Sequence, residues 1–235
     1  MLDGHKFLAI IPARGGSKGI PNKNIIEIDS KPLIAYTIEE SKKSGYLDKI
    51  IVSTDSQKIQ QTSLKYGAEV PFLRPNILAN DTSKTIEAVI FTINELKKLG
   101  EFYDYVLVLQ PTQPLRRSKH IDDVIRMAIS NSLTSITSVS KVTYNPLLIR
   151  EVSTDNSLVK LLESRSDVRR QDFSDYYKIN GAVYLNAIDD DLNLSTSLND
   201  NQYGYIMSSE FDLDIDTFED IQYFKELVLN EKIPQ

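Results

Sequence analysis

Over the first 140 residues the chain repeats one pattern: a short run of apolar and β-branched positions, a polar turn, then a longer stretch whose apolar positions return every three or four residues. The runs at 7–12, 49–53, 68–72, 105–109 and 135–139 are apolar at nearly every position, as in parallel strands covered on both faces. The stretches at 32–43, 56–66, 82–99 and 118–130 have the helical period. Their starts agree with this: Pro32 suits a first helical turn, and Ser56, Thr82 and Ser118 are N-capping types. The alternation predicts an α/β fold built on a doubly wound, mostly parallel sheet. Such sheets bind ligands beyond the carboxyl ends of their strands, so chemistry is expected in the loops after the first, second and fourth runs.

The pattern breaks between 141 and 178. There Thr143-Tyr144-Asn145-Pro146 has turn composition and residues 163–170 are polar and charged, so the segment reads as an insertion. The alternation returns with strands at 179–185, 203–207 and 211–216 and a closing helix over 217–229. The chain thus divides into an α/β core at 1–140, the insertion at 141–178, and a return to the core at 179–235.

Composition removes several classes of function. Hydrophobic residues are 41% and charged residues 26% of 235, enough apolar material for an ordinary core. The 27 basic and 33 acidic residues leave a net charge of −6, the wrong sign for a surface that neutralises a phosphate backbone, so no nucleic-acid partner is expected. No apolar run approaches the roughly 18 residues that cross a bilayer, and the first ten residues lack a secretory core, which predicts no membrane partner and a cytoplasmic location. Cysteine is absent, and His5 and His120 stand apart and read as surface residues. Thiolates, disulfides and histidine metal sites therefore drop out, leaving carboxylates, lysines and arginines to carry any reaction.

Two segments concentrate those groups. Residues 13–24, directly after the first strand, hold Arg14, Lys18 and Lys23 and no acid. Gly15, Gly16 and Gly19 let backbone N–H groups approach an anion closely, and Ser17 and Asn24 add donors, so the loop has anion-binding composition. A solvated turn is the plain alternative, because the glycine spacing matches neither the dinucleotide fingerprint nor the P-loop. The second segment is Phe211-Asp212-Leu213-Asp214-Ile215-Asp216, whose strict alternation places three carboxylates on one face of an extended chain. That face suits a hard divalent ion, Mg²⁺ or Mn²⁺, held by one or two carboxylates together with substrate phosphates. Spacing alone leaves both adjacent aspartate pairs open.

The run Ile11-Pro12-Ala13-Arg14-Gly15-Gly16-Ser17-Lys18-Gly19-Ile20-Pro21-Asn22-Lys23-Asn24 resembles the nucleotide-binding signature of the acylneuraminate cytidylyltransferases, which activate nonulosonic acids such as sialic, legionaminic and pseudaminic acid. The likeness continues through Ser53-Thr54-Asp55, Leu73-Arg74-Pro75, Asp81-Thr82-Ser83, Leu109-Gln110-Pro111-Thr112, Arg170-Gln171, Asn180-Gly181-Ala182 and Asp214-Ile215-Asp216, nearly the whole chain. It implies a Rossmann-like nucleotidyltransferase that moves CMP from CTP to the anomeric hydroxyl of the acid and releases pyrophosphate. By position it implies that Arg14, Ser17, Lys18 and Lys23 hold the phosphates, with Asn24 near the nucleotide and Arg74 and Ser83 at the cytidine. On the acid side it implies Gln110, Thr112, Arg170, Lys178 and Asn180. It selects Asp214 and Asp216 as the metal pair, and with Arg14 and Lys18 they form the implied catalytic set. Residues 141–178 resemble the arm through which these enzymes form homodimers.

Two departures bear on the substrate. Gln113 stands where the family usually has Ser, which leaves Gln110 the firmest match of that motif; Leu148 stands where sialic acid members tend to carry Lys, and together with the stretch 68–75 this tilts the expected acid toward the legionaminic type. The alternatives are transfer to another acid, pseudaminic acid or Kdo, or a protein that binds nucleotide without turnover.

Overall fold

The computed structural model describes residues 1–17, 19–163 and 174–234. In chain order, the first half contains β1 (Phe7–Pro12), β2 (Glu27–Ile28), β3 (Lys31–Pro32), α1 (Leu33–Lys42), β4 (Leu47–Ser53), α2 (Gln57–Tyr66), α3 (Thr85–Lys98) and β5 (Tyr105–Val108). The second half contains α4 (Ser118–Ser130), β6 (Ser135–Lys141), β7 (Arg150–Val152), β8 (Leu158–Lys160), β9 (Tyr177–Ala187), β10 (Tyr203–Met207) and α5 (Phe218–Leu229). Six strands form the central sheet in the order β10-β6-β9-β5-β1-β4. All neighbours run parallel except β9, which is antiparallel to both β5 and β6.

β1 explains why the strand runs read as continuously apolar. Phe7, Ala9 and Ile11 pack with Leu33, Ile34, Ile121 and Phe224 on one side of the sheet, while Leu8 and Ile10 pack with Val89, Ile93 and Leu96 of α3 on the other. Residues 7–11 are all 0% exposed, so every side chain on the strand is in a core and no polar face remains. The two helix layers follow directly from this.

Helix starts are set by local chemistry. Ser56 accepts from the N–H of Ile59 at the head of α2, and Thr217 forms a capping box with Asp220 at the head of α5. α3 begins at Thr85, three residues after the expected start, because the Asn80 carboxamide takes the N–H and hydroxyl of Thr82 and turns the chain there.

Two expected strands are corrected. At 68–72 only Glu69 bridges to Ile51, and Pro71 cannot extend a ladder. Residues 211–216 keep their alternation, with Phe211, Leu213 and Ile215 buried, yet no sheet edge receives them. A 3₁₀ turn at Ser209–Phe211 leads into an extended segment anchored by the Ile215 N–H donating to the Thr112 carbonyl at 2.9 Å. His120 is also corrected: it is 7% exposed, its Nδ1 accepts from the Arg117 N–H at 3.1 Å, and its ring meets Phe211 edge-on at 4.5 Å.

The chain leaves the sheet after β6 and re-enters on β9. Between them β7 and β8 form a short antiparallel hairpin pairing Val152 with Leu158.

Candidate active site

A cavity of about 510 Å³ opens where β1 and β5 end. Arg14, Ser17, Lys23, Asn24, Arg74, Ser83, Gln110, Thr112, Asp214 and Asp216 all line it. Lys18 and Arg170, also expected in the site, lie outside the described residues.

The loop after β1 is fixed by its own backbone. Ala13 N–H donates to the Ser53 carbonyl at 3.0 Å, and Gly15 N–H donates to Asp55 Oδ1 at 2.8 Å. A Cβ on Gly15 would lie 3.0 Å from the Ser56 Cβ, so a glycine is needed where the loop crosses the head of α2. Asn24 is buried and its amide donates to the Arg14 carbonyl at 3.0 Å, closing the loop on itself. Asn24 thus shapes the loop as well as lining the cavity. Arg14 Nη1 meets Asp81 Oδ1 at 2.9 Å across the mouth.

Lys23 joins the two ends of the chain. Its Nζ donates to the Ile215 carbonyl at 2.8 Å and to Asp216 Oδ1 at 2.9 Å, tying the cationic loop to the acidic segment. Arg74 lies deeper, 6% exposed, and its Nε has no hydrogen-bond partner among the described residues. Burial lowers its pKa, opposed by Asp55 and assisted by Arg14. A cation held so far from water has strong attraction for an acceptor that enters the cavity.

The three aspartates separate. Asp212 pairs with Lys178 at 3.0 Å and faces a second cavity. Asp214 and Asp216 face the first. Burial raises the pKa of Asp214, an effect that the Thr112 hydroxyl opposes by donating to it and that Asp216 reinforces. Asp214 is therefore a carboxylate whose negative charge the protein compensates poorly. Asp216 is 70% exposed and held by Lys23, while its N–H donates to Asp220 at the head of α5. Among the described residues no cluster of three or more ligating side chains forms, so a divalent ion would rest on this pair and on ligand oxygens. The residues fit such an ion: two hard oxygen groups, one under-compensated, beside cations placed for phosphate.

The second cavity, about 320 Å³, shares Gln110 and Asp214 with the first and adds Gln113, Lys178, Asn180, Gly181, Tyr184 and Asn199. Gly181 has φ +74°, and a Cβ there would fall 2.4 Å from Gln110 Oε1, so this glycine lets β9 press against the loop that carries Gln110. Asn180 accepts from Ser138 at 2.6 Å and donates to Ser140 at 2.8 Å, which locks it beneath the cavity floor.

Sequence reasoning missed Tyr184, Asn199 and Arg116. Tyr184 donates to Asn199 at 3.0 Å, and its polar group inside an apolar strand was a usable signal; Asn199, in a loop, offered none. Arg116 is fully buried and donates to the carbonyls of Gln110 and Ala182, at 3.1 and 2.8 Å, and to the Thr37 hydroxyl at 2.6 Å. Burial pulls its pKa down to about 9, opposed by Glu40, and the side chain pins the Gln110 loop between β9 and α1.

The chain matches the cytidylyltransferase family over residues 8–232. The family is one of nucleotidyltransferases, and the cationic loop facing the carboxylate pair at the strand ends is its candidate site. The chain is 38% identical to the CMP-N,N′-diacetyllegionaminic acid synthase of Legionella pneumophila over 186 residues, 77% of each protein. It is 33% identical to the pseudaminic acid cytidylyltransferase of Campylobacter jejuni over 94% of this chain and 95% of that one. It also matches 51% of the N-acylneuraminate cytidylyltransferase of Streptococcus agalactiae at 33% identity over 92% of its own length. The chain belongs to the cytidylyltransferase family, enzymes that transfer CMP from CTP. The fold is similar to that of a CMP:2-keto-3-deoxy-manno-octonic acid synthetase solved with CTP, with TM-score 0.73 and 18% identity over 96% of this chain and 99% of that one. It is also similar to a 4-diphosphocytidyl-2C-methyl-D-erythritol synthase, with TM-score 0.68 and 16% identity over 95% and 98%.

Proposed function

We propose that the acceptor is a nonulosonic acid of the legionaminic type, that Asp214 and Asp216 hold Mg²⁺ or Mn²⁺, and that the enzyme works as a cytoplasmic homodimer. One observation carries the reading: the cation- and carboxylate-lined cavity shares Gln110 and Asp214 with a second polar cavity, so ligands in the two would both lie against those residues. CTP suits the first cavity, with its phosphates between Arg14 and Lys23 and its cytidine toward Arg74 and Ser83. The acid suits the second, beside Gln110, Lys178 and Asn180, whereas Thr112, expected on the acid side, lines the first cavity and supports Asp214 there.

In the reaction the anomeric oxygen bonds to the α-phosphorus while the bond to the bridging oxygen breaks and pyrophosphate leaves. Arg14 and Lys23 are placed to neutralise charge on the phosphates, the usual contribution of positioned cations to this chemistry. A divalent ion on the aspartate pair would supply further neutralisation and polarise the α-phosphoryl group. Homodimerisation is supported by the hairpin insertion, where Val152 is 61% and Leu158 67% exposed on opposing strands. Residue 148 favours the legionaminic type, as Leu148 stands where sialic acid members tend to carry Lys, and the identity to the Legionella protein points the same way.

The test is pyrophosphate release from CTP with Mg²⁺ across N-acetylneuraminate, N,N′-diacetyllegionaminate, pseudaminate and Kdo. Release is expected to be fastest with N,N′-diacetyllegionaminate. A clear preference for another acid would overturn the choice of substrate, and silence with all four despite CTP binding would favour nucleotide binding without turnover.

A further inference from the structure

Gln113 occupies the turn that links the two cavities. Its N–H donates to the Gln110 carbonyl and its own carbonyl accepts from the Arg116 N–H, both at 3.3 Å, so the backbone position is fixed. The side chain is 1% exposed, and neither Oε1 nor Nε2 has a hydrogen-bond partner among the described residues. A buried amide with both polar atoms unpaired is costly, and native proteins rarely carry one without a use for it.

Its neighbours around the second cavity are already engaged. Lys178 pairs with Asp212, Asn180 with Ser138 and Ser140, and Tyr184 with Asn199. Arg116, behind the cavity, spends its two terminal nitrogens on Gln110, Ala182 and Thr37, and its Nε has no partner among the described residues. Gln113 lines the same cavity, and no side-chain hydrogen bond has to break for its amide to turn toward a ligand there. A carboxamide presents a donor and an acceptor side by side, and the group that answers both is another amide, through its C=O and N–H. A hydroxyl reaches one of them at a time, and a carboxylate satisfies the donor alone.

We propose that Gln113 is a specificity-determining residue that pairs with an acylamino substituent of the acceptor sugar acid. This rests on the proposed transfer to such an acid and adds which group of the acid is read, and by which residue.

The test compares kcat/KM for N,N′-diacetyllegionaminate with that for counterparts in which one acetamido group at a time is replaced by hydroxyl. Wild-type enzyme is expected to lose about tenfold or more on losing the acetamido group that Gln113 reads, as sites built around a buried polar pair do. In Gln113→Met, which keeps length and removes the amide, that ratio should fall to within about threefold, with the KM for CTP unchanged and the thermal midpoint equal or higher. Gln113→Asn, a shorter amide, should retain part of the discrimination. The proposal is overturned if wild type shows no preference between the acids, or if Gln113→Met keeps the wild-type ratio. A lower midpoint with an unchanged ratio assigns Gln113 to internal packing or a buried water. Absence of turnover with every acid, in wild type, sinks the transferase reading itself and is distinct from these outcomes.

Discussion

On the proposed function, Asp216 should matter to turnover and hardly at all to folding. Its ion pair with Lys23 is exposed, and pairs of that kind contribute little stability, so Asp216→Asn should fold with an unchanged thermal midpoint. The same change replaces one of the two carboxylates in the cavity with a neutral amide and leaves Lys23 without its anion. Turnover is expected to fall by about 100-fold or more, the scale seen when a single electrostatic contributor is removed from a transition state. A rate assay beside a melting curve checks both halves, and near-normal turnover would remove Asp216 from the site. Gly181 makes the opposite case. Gly181→Ala places a Cβ on the Gln110 carboxamide in a backbone region that costs a non-glycine residue about 1–3 kcal/mol. A lower midpoint and a raised KM for the acid, with CTP binding retained, are expected from titration and steady-state kinetics. The glycine and the aspartates were visible in the sequence as chemistry-bearing letters. The partners that give them their roles, Lys23 for Asp216 and Gln110 for Gly181, lie 193 and 71 residues away and follow from topology alone.

Elements whose character is set locally were legible; those decided by a distant partner were not. The ends of β1, α4 and β10 agree with the periodicity because apolar runs act within a few residues, although Arg117 and not Ser118 holds the N-cap position of α4. The segment 211–216 has strand alternation without a strand, since alternation records which side chains are buried, while a ladder needs a free sheet edge. That segment is instead supported from below by His120, whose ring packs on Phe211. Burial, with Lys119, Arg116 and Arg117 adding and Asp123 opposing, pulls the His120 pKa down from 6.5 to about 4. The folded chain therefore refuses a proton that the unfolded chain accepts. By linkage, stability should be indifferent to this group above pH 6.5 and fall as the pH drops from 6.5 toward 4. His120→Asn removes that loss, so the urea midpoint of the variant should fall less steeply than wild type across this range. Parallel slopes for the two proteins would mean that His120 does not set the acid limit.

At the scale of the whole molecule, the sheet and its cavities would account for the proposed binding of two substrates, and the hairpin insertion is the part whose apolar surface they leave unexplained. Val152 and Leu158 face each other across β7 and β8, and Leu148, Ile149, Val159 and Leu161 are exposed nearby, on an element with no buried residue among those described at 141–163. A two-stranded ribbon of this size is marginal in isolation and gains stability by packing against another surface. A second copy of the chain, offering the same surface, is the partner consistent with the proposed homodimer. Wild-type protein should then sediment at twice the mass of one 26.7 kDa chain. The double variant Val152→Asp with Leu158→Asp places like charges opposite each other on the ribbon and should shift the protein to the monomer at micromolar concentration. Because β6 and β9 do not depend on the ribbon for their pairing, the monomer should keep its circular dichroism and its affinity for CTP. If the partner's insertion helps to complete the acid pocket, turnover falls with dissociation and recovers when protein concentration drives reassociation. If the monomeric variant turns over acid at the wild-type rate, the insertion serves assembly alone; if wild type itself sediments as one chain, the homodimer is excluded.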